Sequence, residues 1–293
     1  MSISTSRLSR WVVALPVAAS LAFSSSVGGA VTFKPIKKCG TISTAGYYKV
    51  TKTLTFQGSG ACLVIAADNV TLNIDGHSLK SSGGGTGISI TGANAFVDFN
   101  DGTVTGFAIG IEDDGSGAVV QNFTSNNNTD TGIYVNGASG STFGGFGANN
   151  NTNHGIHLRR ANNNILHNMA LKDNGSFGLW AELSSNNVIN NFVANNNGIA
   201  GVYFGCSSSG PAGGGPACAG ANSGSNVVTS TGDDNNGFYG LAIDLDSEAN
   251  VIDGAEQSNN NGADDSYDAN TNCGTNLWFN ETHGTTNQPC TRE

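Results

Sequence analysis

Long apolar runs are missing from this sequence after its first thirty residues. A helix that spans a membrane needs about 20 consecutive apolar residues, so we expect neither a membrane span nor a membrane partner. The opening stretch is basic at Arg7 and Arg10, apolar from Trp11 to Phe23, and rich in small residues up to Ala30. That order is typical of a signal peptide. We therefore expect residues 1–30 to be removed and the rest to be secreted or periplasmic.

Positive charge is also scarce. The chain has 12 Lys and Arg residues against 22 Asp and Glu, and without Arg7 and Arg10 its formal net charge goes from −10 to −12. Proteins that bind nucleic acid concentrate cations against the phosphate backbone, so we expect no nucleic-acid partner. An acidic polysaccharide stays open as a partner, provided that positive charge is concentrated locally.

The sequence contains no CxxC pair and no histidine at zinc-finger spacing, which argues against a zinc site. All six cysteines follow residue 30, and an even number in an exported chain predicts a disulfide framework. Each couple of successive cysteines closes one loop-rich segment, so we predict pairing within couples. The predicted disulfides are Cys39–Cys62, Cys206–Cys218 and Cys273–Cys290.

Glycine, asparagine, serine and threonine are abundant and periodic. A Gly-aliphatic dipeptide recurs at steps of 23, 22, 23, 23 and 23 residues, then after 39. Inside each unit the apolar period is two, which indicates strands, and units this short bury an apolar face only by stacking into a solenoid. Asparagine suits the tight turns. The dipeptides begin at Gly87, Gly110, Gly132, Gly155, Gly178, Gly201 and Gly240, and a second apolar mark ten residues later falls on Val97, Val120, Ile165 and Val188.

These units resemble a known repeat. The segment NVTLNIDGHSL (residues 69–79) and units such as SSNNVINNFVANNNGIAGVYF are similar to the pectate-lyase-like superfamily, above all to its NosD-like, Asn-rich branch. The resemblance covers residues 65–272 and implies an all-β, right-handed parallel β-helix. We expect an N-terminal cap at 31–68, the β-helix at 69–272 with a disulfide-closed insertion at 206–222, and a C-terminal cap at 273–293. The superfamily includes lyases, hydrolases, epimerases, adhesins and non-catalytic proteins, so function stays open.

Alternation within each Gly-aliphatic strand predicts which side chains face outward. Residues one and three after the glycine point inward, and residues two and four point outward. Because rungs stack about 4.8 Å apart, equivalent outward residues form rows along one face. We predict that an exposed aromatic row binds sugar rings beside a polar row. The first row is Tyr134, His157, Trp180 and Tyr203, and the second is Asp114, Asn136, Arg159 and Glu182.

Two chemistries fit these rows. In β-elimination on a polyuronate, His157 is the predicted base, Tyr134 the proton donor and Arg159 the group that holds the uronate carboxylate. In glycoside hydrolysis, Glu112 and Asp114 form an inverting pair about 6.5–7 Å apart. We favour elimination, because it uses the aromatic, histidine and arginine positions together. The residues predicted to bind substrate are Asn136, Trp180, Tyr203, Glu182, Arg160, Glu112 and Asp114.

Other interpretations stay open. The protein is a monomer in our prediction, either a polysaccharide lyase or a non-catalytic carbohydrate-binding or cell-surface β-helix, and the NosD resemblance allows a role in a periplasmic metal or assembly system. No cofactor is expected, although Ca²⁺ is an alternative use of an acidic stretch that a solvated turn face also explains. Asp113 falls on an inward position, so either the strand bulges or a carboxylate is buried. The acidic stretch comprises Asp244, Asp246, Asp253, Asp264, Asp265 and Asp268.

Overall fold

A computed structural model describes residues 32–207, 223–254, 256–258, 260–280 and 282–292. The chain divides into Met1–Thr32 and Phe33–Glu293, and Thr32 is the one described residue of the first unit. Within the second unit, short strands pair in parallel with strands one turn further along the chain. The result is the predicted all-β parallel solenoid.

The strands, numbered β1 to β25 in chain order, form two long sheets and one short one. The thirteen-stranded sheet contains β1 (Lys34–Ile36), β3 (Gly46–Val50), β4 (Leu54–Phe56), β6 (Val70–Asn73), β7 (Ser78–Ser81), β9 (Phe96–Thr105), β11 (Val119–Asn126), β13 (Thr142–Gly147), β15 (Ile165–Ala170), β17 (Val188–Val193), β19 (Val227–Gly232), β21 (Val251–Asp253) and β24 (Leu277–Phe279). The ten-stranded sheet contains β2 (Gly40–Ile42), β5 (Ala61–Ile65), β8 (Thr86–Ile90), β10 (Ile109–Asp113), β12 (Thr131–Asn136), β14 (His154–Arg159), β16 (Phe177–Glu182), β18 (Ala200–Phe204), β20 (Tyr239–Ile243) and β23 (Asp264–Asp268). The short sheet pairs β22 (Glu256–Ser258) with β25 (Thr282–His283), and two 3₁₀ helices span Thr271–Cys273 and Pro289–Arg292.

The register in the ten-stranded sheet confirms the predicted inward column. Ile111 pairs with Ile133, and Ile133 with Ile156. Every residue one after a repeat glycine is fully buried, so each rung contributes one aliphatic side chain to a continuous core. These residues are Ile88, Ile111, Ile133, Ile156, Leu179, Val202 and Leu241.

The residue at the second apolar mark faces the core in the first rungs but not in the later ones. Val97 and Val120 are fully buried, whereas Ile165 is 39% exposed. The reason is that the spacing between the two inward marks grows by one residue, from nine between Ile111 and Val120 to ten in the next rung. A shift of one residue turns a strand over. The inward positions of the later rungs are therefore Phe143, Leu166 and Ile189.

Both ends of the solenoid continue the same sheets. Strands β1 and β2, within the expected N-terminal cap, pair in parallel with β3 and β5, so the stack begins before residue 69. At the other end, β24 pairs with β21. Two predicted disulfides are confirmed, Cys39–Cys62 and Cys273–Cys290. Cys206 is disulfide-bonded, but its expected partner Cys218 lies outside the described residues.

Buried asparagines in the turns connect each rung to the next. The side chain of Asn174 donates from Nδ2 to the carbonyl of Ala148 at 3.0 Å and to Oδ1 of Asn197 at 3.0 Å. Its own Oδ1 accepts from both N and Nδ2 of Asn151. Every polar atom of this buried amide is thus satisfied. The first ladder consists of Asn128, Asn151, Asn174, Asn197, Asn236 and Asn261, and the second of Asn164, Asn187, Asn226, Asn250 and Asn276.

Carboxylates complete these ladders where the asparagines stop. The first ladder ends with Asn261 donating to Asp265 at 2.8 Å, and the second ends with Asn276 donating to Asp268 at 3.0 Å. At the opposite end of the second ladder, Ser141 links Asn164 to Asp113. A carboxylate only accepts hydrogen bonds, so it suits the end of a row of amide donors.

The repeat glycines are required by the first of these ladders. A Cβ atom on Gly155 would lie 2.9 Å from Nδ2 of Asn174 and 2.6 Å from the carbonyl oxygen of Gly178. The residue before a ladder asparagine adopts a left-handed conformation, as at Asp173 (φ 57°) and Asn196 (φ 59°). Asparagine and aspartate tolerate that region best among non-glycine residues, which confirms the expected role of asparagine in the turns.

Replacing Asn174 with alanine removes one link of the first ladder and leaves buried donors and acceptors on both adjacent rungs unpaired. We expect the free energy of unfolding to fall by about 2–4 kcal/mol, measured by urea denaturation. Thr152→Ala, at an exposed side chain on a neighbouring turn, serves as the control and should change stability by less than about 0.5 kcal/mol. Equal stability of the two variants would contradict a structural role for the ladder.

Candidate functional site

The predicted rows lie on the ten-stranded sheet in the predicted order. Tyr134 on β12 pairs with His157 on β14, and His157 pairs with Trp180 on β16. On the same strands, Arg159 pairs with Glu182. The structure therefore brings the histidine, the arginine and the acid together on two adjacent rungs, with Tyr134 one rung before them.

The imidazole of His157 lies between two aromatic rings. It stacks on Trp180 with ring centroids 4.1 Å apart and an interplanar angle of 3°, and it contacts Tyr134 at 5.1 Å. The indole is in turn fixed by a hydrogen bond from its Nε1 to the carbonyl of Gly205 at 2.8 Å. Stacking on a fixed ring limits the rotamers of His157, so its polar atoms have a defined direction.

Glu182 is the polar centre of the group. One of its oxygens, Oε2, lies 3.0 Å from Nε2 of His157 and 3.3 Å from Nε of Arg159. The hydrogen bond from His157 lowers the pKa of Glu182, and the charges of His157, Arg159 and Arg160 act in the same direction against desolvation. The carboxylate is therefore ionised at neutral pH, accepts a hydrogen bond from His157 and forms an ion pair with Arg159.

The remaining polar residues surround this centre. Arg159 has its pKa raised, first by a hydrogen bond with Tyr134 and then by the charge of Glu182. Asn136 donates to Asp114 at 3.0 Å across one rung. Arg160 is exposed at the turn that follows β14, where its backbone has φ 50°. Cations, amide and carboxylates thus alternate along one edge of the aromatic row.

We had expected the whole aromatic row to be exposed, but two of its four residues are buried. Trp180 is 7% exposed and Tyr203 is fully buried. Tyr203 stacks on Phe177 at 5.0 Å and donates its hydroxyl to Asp244 at 2.8 Å. Their outward direction is correct, but they belong to a second apolar cluster outside the main core. Their predicted role in substrate binding stays a prediction.

The sequence analysis did not predict that residues before the repeat glycines pack in or against that cluster. His154 and Phe177 each precede a repeat glycine, a place that strict alternation assigns to the interior. Instead, the His154 ring contacts Phe177 at 5.4 Å, Trp180 at 5.2 Å and His157 at 5.5 Å. The glycines interrupt the alternation, so a pattern counted from them forward gives no signal for the residue before.

The two consecutive acidic residues of β10, Glu112 and Asp113, point to opposite faces of the sheet. Asp113 is fully buried in regular pairing with Ile90 and Val135, so the buried-carboxylate alternative is correct and the bulge is not. It accepts from Ser141 Oγ at 2.8 Å. Burial raises its pKa, and it also raises that of Glu112, with the charge of Asp114 as a second cause.

The acidic stretch near the C-terminus is engaged in hydrogen bonds. Asp265 and Asp268 are buried at the ends of the ladders, and Asp244 accepts from Tyr203. In the described part of the chain, no three His, Cys, Asp or Glu side chains form a group able to hold a metal ion. Over the same residues, no helix has the length and apolar character needed to cross a bilayer.

Comparison with known proteins places this geometry in a family. The family model described as "Right handed beta helix region" matches residues 86–253, more than half of the chain. No curated protein matches the sequence. The matched region includes every residue of the two predicted rows.

Solved structures with similar folds are distant in sequence. The Dettilon tailspike protein has a TM-score of 0.61 at 12% identity, over 84% of this chain and 60% of its own. The enzymatically active domain of bacteriophage CBA120 tailspike protein 2 has a TM-score of 0.53 at 13% identity, over 85% of this chain and 41% of its own. The periplasmic alginate epimerase AlgG has a TM-score of 0.45 at 16% identity, over 77% and 61%. The chain spans less than two thirds of each, and these similarities describe the fold alone.

Replacing Trp180 with alanine tests whether this residue packs or binds. Because the indole is buried and hydrogen-bonded, we expect the free energy of unfolding to fall by about 3–5 kcal/mol. Phe238→Ala, at the residue before β20, is the control, since that ring is 50% exposed. Unchanged thermal stability together with lost glycan retention on affinity gels would contradict the packing role.

His154 should make stability depend on pH. Burial, followed by the charge of His157, lowers its pKa from 6.5 to about 4, so between these values the unfolded chain takes up a proton that the folded chain does not. We expect stability to decrease by about 3 kcal/mol as pH falls through that interval. His154→Phe keeps the ring and should remove this part of the pH dependence, whereas His167→Gln on the other sheet should not. An identical pH profile in wild type and His154→Phe would exclude the effect.

Proposed function

We propose that this chain, which belongs to the right handed beta helix region family, acts on polysaccharide and cleaves an acidic, uronate-containing glycan by β-elimination. The observation that carries the proposal is the contact of one Glu182 oxygen with both His157 and Arg159. It supplies a base with a defined tautomer beside a cation, which is what elimination next to a carboxylate requires.

Glu182 determines which nitrogen of His157 is the base. An ionised carboxylate accepts a hydrogen bond from Nε2–H, so the neutral imidazole keeps its proton on Nε2 and its lone pair on Nδ1. The orientation is further fixed by stacking on Trp180. In this proposal Nδ1 is the atom that removes the substrate proton, and Glu182 is a positioning residue.

The reaction follows from the positions of the other groups. Nδ1 of His157 takes the C5 proton of a uronate, the electron pair forms the C4–C5 double bond, and the C4–O bond breaks. The leaving oxygen takes a proton from the hydroxyl of Tyr134, one rung away. Arg159, with the Asn136 amide, holds the uronate carboxylate and stabilises the negative charge that develops on it. Arg160 adds positive potential at the same edge.

Hydrolysis is the second candidate, and one observation favours it. The raised pKa of Glu112 suits a general acid, and Asp114, two residues further on, accepts a hydrogen bond from Asn136 and would serve as the general base. This pair uses neither the histidine nor the arginine. Hydrolysis yields new reducing ends without a double bond, so the two reactions differ in their products.

A non-catalytic binder is the candidate from another class. Such a protein has no use for a base beside a cation, so the contact of Glu182 with both His157 and Arg159 supports an enzyme over a binder. Its site of action in our proposal is extracellular or periplasmic, because disulfides such as Cys39–Cys62 persist in oxidising compartments. We expect the protein to be a monomer.

Incubation of the residue 31–293 protein with polyuronates should produce a rising absorbance in the unsaturated-uronate band. His157→Ala should lower the rate by about a hundredfold to ten-thousandfold, because it removes the base. Glu182→Gln should lower kcat more than it changes KM, because it disturbs the tautomer of His157 as well as the contact with Arg159.

His167→Ala on the thirteen-stranded sheet is the matched control and should keep wild-type activity. Each variant is first checked for wild-type thermal stability. Reducing ends that appear without absorbance, and that disappear in Glu112→Gln, would replace elimination with hydrolysis. Retention of glycan with no product of either kind would replace both with binding.

A further inference from the structure

The charge of the solenoid is strongly polarised from one end to the other. Residues 32–80 carry six lysines and two aspartates, whereas residues 81–293 carry four basic and twenty acidic residues. The net acidity of the chain therefore comes from the later rungs, and the first rungs are cationic. The six lysines are Lys34, Lys37, Lys38, Lys49, Lys52 and Lys80.

Four of these lysines surround a concave surface at the N-terminal end. Lys34, Lys37, Lys38 and Lys52 line a cavity of about 580 Å³, within the size range of ligand pockets. All four side chains are exposed. Lys34 is held in place, since its Nζ bonds to the hydroxyl of Tyr48 at 3.4 Å and lies 5.1 Å from that ring.

The cavity also has an apolar base, since Ile36, Ile42 and Leu63 line it together with the lysines. Tyr48 lines it as well, next to Lys34. A concave site that combines an apolar base with a few convergent polar groups is typical of a ligand-binding site.

We infer that the N-terminal end is a second binding site that anchors an acidic polysaccharide. Lysine ammonium groups pair with uronate carboxylates, and the apolar faces of the sugar rings pack on the aliphatic base of the cavity. The inference rests on the proposed function only for the identity of the glycan. Anchoring itself requires no catalysis.

The position of this site explains how an acidic protein holds an acidic polymer. Five rungs, about 24 Å, separate β2 from β14, and Glu112 lies on the face between them. A long polyanion is repelled by most of the solenoid and attracted at this end, where positive charge is least compensated. Within the described part of the chain, Lys49 is the one member of these six lysines that forms an ion pair, with Asp75 at 2.9 Å.

A second copy of the chain fits this end less well than a glycan does. The acidic later rungs complement the lysines in charge, but the edge strand β1 contains Pro35. Proline removes a backbone donor and is a common device against pairing at an open sheet edge. Head-to-tail pairing of strands is therefore disfavoured, and a polymer that binds through side chains is favoured.

The test measures the affinity of the residue 31–293 protein for polygalacturonate by titration calorimetry at low salt. The variant Lys37→Ser/Lys38→Ser/Lys52→Ser should raise Kd about tenfold or more. The same three positions changed to arginine keep the charge and should bind within about twofold of wild type. Because the three side chains are exposed, both variants should retain wild-type thermal unfolding.

Equal affinity of the serine and arginine variants would overturn the inference. Three other results would also overturn it. The protein would bind phosphatidylglycerol vesicles but not polygalacturonate, it would bind neutral dextran as tightly as polygalacturonate, or it would form a lysine-dependent dimer in sedimentation. His157→Ala separates this result from the proposed function. This variant should bind with wild-type affinity and form no unsaturated product. If the wild-type protein shows lysine-dependent binding but no cleavage, the lyase proposal is rejected and the anchoring site is kept.

Discussion

The buried side-chain amides of the turn asparagines are the constraint on which the rest of the structure depends. Within a ladder each amide is satisfied by the backbone and the asparagines of adjacent rungs, as Asn174 is by Ala148, Asn151 and Asn197. One unpaired rung leaves buried polar groups without partners, which is costly in a low-dielectric interior. The repeat length, the glycine beside each asparagine of the first ladder and the parallel register all follow from this requirement.

A fixed register is also what assembles the candidate site. Glu182 reaches His157 and Arg159 because β16 stacks on β14 without a slip. A slip of one residue would turn these side chains to the opposite face. The outer cluster of Phe177, Trp180 and Tyr203 then supports the histidine from beneath. The site is therefore a product of the ladders and of a second apolar layer outside the core.

Much of the fold was predictable from sequence because its signals are periodic. The glycine spacing predicted the inward column, the register and the order of the two rows, and each was confirmed. Burial of Trp180 and Tyr203 was not predictable, because alternation gives the direction of a side chain and not what lies over it. Exposure of Ile165 was not predictable either, because the spacing changes by one residue and a fixed count does not detect the change. Asp113 left two alternatives, and only its burial and its regular pairing with Ile90 and Val135 decide between them.

The contact between Glu182 and His157 results from the strand register, and the proposed chemistry depends on it. Nitrogen NMR of the His157 imidazole tests this contact most directly. The account predicts that neutral His157 carries its proton on Nε2, with a resonance that shifts in Glu182→Gln and stays unchanged in His167→Ala. A proton on Nδ1, or an Nε2 resonance indifferent to Glu182→Gln, would contradict the proposal that Glu182 positions the base.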